Sequence, residues 1–171
     1  DHHVGPPNII SAEAMHALCK GLGPGDAPSL CAIGLSGNNI GPAGAEALAA
    51  ALSKGALPQL KMLLLLGNPI GNQGVAALAA PLRKLPALTD LLLFNGEIGD
   101  EGVASLFANL GKDDFKALEQ LWLAHNQITD AGMTTLVAAL DAGGLPRLRN
   151  NQHADKIFFV QHNRASASAV Q

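Results

Sequence analysis

Six histidines and two cysteines are the side chains of this 171-residue sequence best suited to hold a metal ion. A zinc site gathers four donors around one ion, so its ligands recur at short, regular spacings. His2-His3 has no such company and reads as at most a weak chelator. His125 stands just before Asn126, with Asp90 and Gln120 as candidates for the same surface, but no Cys or second His follows at a ligand spacing. No metal and no cofactor are therefore expected. Cys19 and Cys31 are expected to be buried free thiols, since two cysteines cannot make a disulfide framework. That places the chain in a reducing compartment, the cytoplasm. Covalent and acid–base chemistry find no foothold either. There is no nucleophile elbow, no paired catalytic carboxylates, no H-E-x-x-H and no dinucleotide fingerprint. Gly41-Pro-Ala-Gly44 lacks the lysine and the spacing of a phosphate loop. An enzyme is not expected.

The side chains left are those that make contacts. Met62, Leu64, Leu66, Asp90, Leu92, Phe94, Gln120 and Trp122 fall at equivalent places in a repeated pattern. Four segments superpose: Leu30-Cys-Ala-Ile33-Gly-Leu35-Ser-Gly-Asn38, Leu60-Lys-Met-Leu63-Leu-Leu65-Leu-Gly-Asn68, Leu88-Thr-Asp-Leu91-Leu-Leu93-Phe-Asn-Gly96 and Leu118-Glu-Gln-Leu121-Trp-Leu123-Ala-His-Asn126. Their spacings are 30, 28 and 30 residues, and each reads L-x-x-L-x-L-x-x-N except that the third ends Asn95-Gly96. The echo continues with Ile40, Ile70, Ile98 and Ile128, then Gly44, Gly74, Gly102 and Gly132, then Leu48, Leu78, Leu106 and Leu136. A fixed period of this length marks stacked units, each covering its apolar face only against a neighbour.

Alternating leucines in L-x-L have the strand period, so the intervening residues face the other way. Ala45, Leu48 and Leu52, like Val75, Leu78 and Leu82, have the helix period. Strands are predicted near 31–35, 61–65, 89–93 and 119–123, and helices over about 42–53, 72–83, 100–110 and 130–141. Pro42 suits a first helical position, Thr129 an N-cap, and Asp100 and Asp130 the positive end of a helix dipole. Gly55, Gly111 and Gly143-Gly144 are the stop signals. Asn38, Asn68 and Asn126 come where the chain turns inward, and an Asn side chain there can serve backbone groups that have left the ladder.

These motifs resemble the leucine-rich repeat in its long, ribonuclease-inhibitor-like form, over roughly residues 8 to 148. That form is shared by ribonuclease inhibitor, the sensor regions of NOD-like receptors and Ran GTPase-activating protein. The resemblance implies an α/β solenoid, a horseshoe with a parallel concave sheet and outer helices. One solenoid over 1–171 is expected, with a partial repeat at 8–28, full repeats at 29–59, 60–87, 88–117 and 118–147, and a degenerate repeat and tail at 148–171. Residues 8 to 22 read as the turn and helix of an earlier unit. At the far end Asn151 and His153 replace apolar residues, but Phe158, Val160 and Asn163 restore the motif 37 residues after Asn126, giving a candidate last strand at 155–163.

On such a scaffold Leu64, Leu92 and Trp122 form one row of the concave face, with Leu66 and Phe94 beside it. An exposed apolar row of this size marks an interaction site, and Trp and Phe anchor interfaces. The expected role is a protein-binding module with Trp122 facing solvent, the opposing case being that the C-terminal segment around Phe158 and Phe159 folds back and buries it. The resemblance adds two alternatives: a sensor fragment of NOD-like receptor type, and a GTPase activator, which would show a charged rim. Charged residues make up only 15% of the chain and the net charge is −3, against a nucleic-acid partner. The sequence has no apolar run near the 18 residues of a membrane helix, so membrane insertion is not expected. A start at Asp1 without Met or a signal-like segment reads as a fragment or processed product.

Overall fold

A strand and a helix alternate along the chain in the computed structural model, which describes residues 11–149, 158–159 and 162–164. The elements are α1 (Ala12–Lys20), β1 (Ala32–Gly34), α2 (Pro42–Ser53), β2 (Met62–Leu64), α3 (Gly71–Lys84), β3 (Asp90–Leu92), α4 (Asp100–Phe107), β4 (Gln120–Trp122), α5 (Asp130–Asp141), α6 (Pro146–Arg149) and β5 (Phe158–Phe159). The strands form one parallel sheet in chain order, β1-β2-β3-β4-β5. Its register sets Ala32, Met62, Asp90 and Gln120 side by side, and likewise Gly34, Leu64, Leu92 and Trp122. Regular strand spans three residues per unit, yet bonds between units run on, from Leu35 N–H to the Leu64 carbonyl and from Gly37 N–H to that of Leu66.

Alternation along the strands decides what is buried. Leu63, Leu91 and Leu121 are fully enclosed, with Leu65, Leu93 and Leu123 two residues on. They share one apolar cluster with Leu48, Leu78, Leu106 and Leu136 of the helices and with Ile40, Ile70, Ile98 and Ile128. Leu30 departs from its equivalents: it is 42% exposed, whereas Leu60, Leu88 and Leu118 are buried, because among the described residues no unit lies over it. Cys31 beside it is also exposed, which corrects the expectation of two buried thiols; Cys19 is buried, and burial pushes its thiol pKa up.

The turns after β1, β3 and β4 are each held by an asparagine of the next unit. Asn68 Oδ1 accepts from the N–H groups of Asn38 (3.1 Å) and Ile40 (2.9 Å), while its Nδ2 donates to the carbonyls of Leu35 (2.7 Å) and Leu65 (3.1 Å). Asn126 does the same for Gly96 and Ile98 N–H and the carbonyls of Leu93 and Leu123. Asn163 takes the Ile128 N–H and donates to Leu123. The residue before the asparagine position always has positive φ: Gly37 (69°), Gly67 (65°), Asn95 (52°), His125 (55°) and His162 (58°). Asn95 thus fills a left-handed position that Asn tolerates better than most residues. Its cost is that Gly96 cannot form the rung.

The turn below Gly96 is rebuilt accordingly. Asn39 and Glu97 follow the asparagine position with φ of 55° and 59°, but Pro69, locked near −65°, cannot do so. The left-handed step moves to Gly71 (61°), whose N–H reaches the Gly96 carbonyl at 2.9 Å, and α3 starts there.

Helix starts are capped across units. Asn72 Oδ1 accepts from Gly99 and Gly102 N–H at the start of α4. Asp100 accepts from the backbone N–H groups of Thr129 and Gly132 and from the Thr129 hydroxyl at the start of α5. Asp100 therefore serves the following helix as well as its own dipole. Burial alone would raise its pKa; the Thr129 and Gly132 hydrogen bonds outweigh that and hold it below the usual carboxylate value. Gly132 is glycine because a Cβ there would collide with Asp100 Oδ1 and lie 2.6 Å from Ile128 Cγ2.

Helix α4 ends at Phe107, short of the 110 that its stop signal predicts. Arg83 of α3 takes the carbonyls of Leu106 (2.9 Å), Ser105 (2.7 Å) and Ala108 (3.1 Å), and Ala108 turns extended. Asp114, 6% exposed, bonds Lys84 Nζ and the Gly111 N–H. Its burial favours the neutral form, but Lys84, Gly111 and the Arg83 charge hold the carboxyl below its ordinary value. At the chain's start Ser11 caps α1 through Ala14 N–H. Asn151, His153 and residues 155–157 lie outside the described residues. Phe158–Phe159 pairs with β4 in the register its motif predicts, Phe158 against Leu121.

Candidate binding face

The residues between the buried leucines line the opposite side of the sheet. Met62 (37% exposed) and Gln120 are exposed, and Leu64, Leu66, Asp90, Leu92, Phe94 and Trp122 are half-buried. The sheet register brings the eight predicted residues together on β2, β3 and β4 and the residues just after them. Ala124, equivalent by repeat position to Leu66 and Phe94, is buried at 4% exposure, a methyl group in register beside the larger Phe94. One expectation needs correction. Trp122 is half-buried rather than solvent-facing, because β5 extends the sheet alongside it, Phe159 pairing with Trp122 in register.

Across β2 to β4 the face is an apolar band, Leu64-Leu92-Trp122 and Leu66-Phe94, with one formal charge in its rows. That charge is Asp90, whose Oδ2 accepts a 2.6 Å hydrogen bond from the Thr89 hydroxyl. Thr89 Oγ1 also lies 3.1 Å from the Lys61 carbonyl. At the strand ends the Phe94 ring lies 4.7 Å from His125, and His125 stacks on His162 at 4.3 Å between centroids. Sequence reading set His125 at this edge but missed its two partners. The available signal was that His125 and His162 both precede the asparagine of their motifs, 37 residues apart.

Among the described residues no three His, Cys, Asp or Glu side chains come together. The apolar groove between the C-terminal ends of α2 and α3, lined by Leu52, Leu57, Pro58, Pro81 and Leu85, contains one ionisable side chain, Lys84, already paired with Asp114.

The Leucine Rich repeat family model matches residues 29–49, 85–107 and 118–137. These three stretches are similar to leucine-rich repeats. The three stretches hold β1 with the first part of α2, β3 with α4, and β4 with most of α5. A search among curated proteins found no match. Leucine-rich repeats suggest a protein–protein interaction module, and domains of this kind are generally not enzymes. No described helix is long and apolar enough to cross a membrane.

Proposed function

We propose that the protein is an intracellular, cytoplasmic interaction module that binds another protein on the concave face of a horseshoe solenoid of the ribonuclease-inhibitor-like type. It is one solenoid over 1–171, its full repeats at 29–59, 60–87, 88–117 and 118–147. The observation that carries the reading is the half-buried band Leu64, Leu66, Leu92, Phe94 and Trp122, with Met62, Asp90 and Gln120 along its border. Side chains half withdrawn from water and aligned in register offer a partner apolar area without first having to be ordered, and aromatic anchors concentrate binding energy. Rows with no Lys or Arg suit neither nucleic acid nor an anionic surface. They also lack the charged rim of a GTPase activator, and a GTP hydrolysis assay tests that alternative directly.

Random peptides displayed on phage and selected on the immobilised chain supply ligands for the test. Trp122→Ala should weaken the selected peptides by about 2 kcal/mol, roughly thirtyfold in Kd, as removal of an aromatic anchor does. Peptides that bind Trp122→Ala and Leu92→Asp as tightly as the parent chain would overturn the proposal.

A further inference from the structure

Asp90 is the odd member of the band. It is half-buried between Met62 and Gln120, and the next residue of its strand on the same side is Leu92, beside Trp122. A carboxylate has about four acceptor sites, and here the described donor is the Thr89 hydroxyl. No ion pair joins Asp90 to Lys61 or to any other cation among the described residues. The structure therefore sets a negative charge, with its lone pairs largely unused, at the end of an apolar track about two residues long. Glu97, exposed past Phe94 in the same unit, adds a second carboxylate with no ion pair among the described residues. Glu119, by contrast, is already bound to Arg147.

The group that fits is a cation with several donors on a long apolar stem. Arginine meets each requirement. Its planar guanidinium matches a carboxylate with two parallel N–H···O bonds, its methylenes cover apolar surface, and it stacks on an indole face. Gln120, in register with Asp90, carries an amide oxygen for a further N–H. Lysine offers a point charge and neither the fork nor the stacking plane.

We propose that the partner presents an arginine within an otherwise apolar segment, its guanidinium paired with Asp90 and its stem lying along Leu92 and Trp122. This rests on the concave face being the binding surface. The flanking residues of the partner then fill the band at Leu64, Leu66 and Phe94.

The phage-displayed peptides test both levels separately. Selection on the full chain should enrich arginine among large apolar residues, more than lysine. For a synthetic selected peptide, Arg→Gln in the peptide and Asp90→Asn in the protein should each weaken binding about tenfold or more, and together little more than either alone. Asp90→Arg should redirect selection toward peptides with Asp or Glu. Peptides that need Leu92 and Trp122 but carry no arginine and ignore Asp90→Asn overturn the arginine pairing while the face reading stands. Equal enrichment of lysine overturns the choice of arginine. Peptides indifferent to Leu92→Asp and Trp122→Ala, no binders at all, or self-association of the chain through this face overturn the inference together with the reading beneath it. The Arg→Gln change is made in the peptide, so the test stands even if a protein variant folds poorly.

Discussion

Replacing Asn68 by alanine removes one rung of the turn ladder and leaves the apolar stacking untouched. Asn68 is fully buried, and its amide satisfies two N–H groups of the preceding unit and two carbonyls. Each buried N–H left without an acceptor costs about 1–3 kcal/mol, so the Asn38 and Ile40 groups together set a loss of about 2–6 kcal/mol. The carbonyls add less, since oxygen tolerates under-satisfaction better than N–H does. Against a domain stability of about 5–15 kcal/mol, the urea midpoint should fall by a large fraction. Gln127→Ala, at an exposed side chain past the next rung, should change stability by no more than about 0.5 kcal/mol. Gly96→Asn should not recover a rung, because Pro69 and Gly71 have already routed the chain elsewhere and a Cβ at Gly96 would sit 3.2 Å from Ile98 Cδ1. A loss under about 1 kcal/mol for Asn68→Ala would show that water or a backbone shift replaces the amide, and the rung argument would fail.

Leu65→Ala should cost about 2–5 kcal/mol, and Leu64→Ala much less, because Leu65 is buried and Leu64 half-exposed; equal losses in urea melts would mean the two faces are misassigned. Gly132→Ala should destabilise by about 1–3 kcal/mol by driving Asp100 off the α5 amides, and Asp100→Ala should make that loss smaller in a double-mutant cycle. Asp100 and Asp114 have lowered folded pKa values, so they contribute stability at pH above the unfolded carboxylate value of about 3.9 and lose it as pH falls through their folded values. The urea midpoint should therefore drop with acid below about pH 4, and less steeply in the double variant Asp100→Asn, Asp114→Asn. Trp122, the only tryptophan, should emit between the buried and fully exposed limits and shift blue when a peptide covers the face; unchanged emission on binding would remove it from the interface.

What the sequence made legible was whatever repeats within one unit. Period-two leucines placed Leu63, Leu91 and Leu121 inside and Leu64, Leu92 and Trp122 on the far side, and the displaced motif at Phe158 to Asn163 located β5. What escaped depends on contacts between units. The end of α4 is set by Arg83, over 20 residues earlier in the chain, against the local signal from Gly111. Thr129 caps α5 as its residue type predicts, but the added hold of Asp100, from the unit before, on the Thr129 and Gly132 N–H groups was not foreseen. Asn95-Gly96 reads as a swapped pair, and only the sign of φ explains it: the first position must be left-handed, and the rung is lost as a result. The half burial of Trp122 lies nearer the alternative in which the segment around Phe158 and Phe159 comes to lie beside it. For the face, residue types and register were readable; the isolation of Asp90 from every described cation required coordinates.

The redistribution of hydrogen bonds around Gly96 has a mechanical side. Between the units of β2 and β3 the ties gather at the helices: Arg83 grips the end of α4, Asn72 its start, and Lys84 reaches Asp114. At the turns the same joint has Gly71 N–H on the Gly96 carbonyl, where its neighbours have a full asparagine clamp. A joint pinned on its outer side and lightly fastened on its inner side works as a hinge. Bending of the array should concentrate where the fewest buried bonds must open, and that is the turn from Asn68 to Gly71 facing Gly96, just past the Leu66 and Phe94 end of the apolar band. On the proposed reading, the face would meet its partner by a change of curvature instead of by repacking side chains.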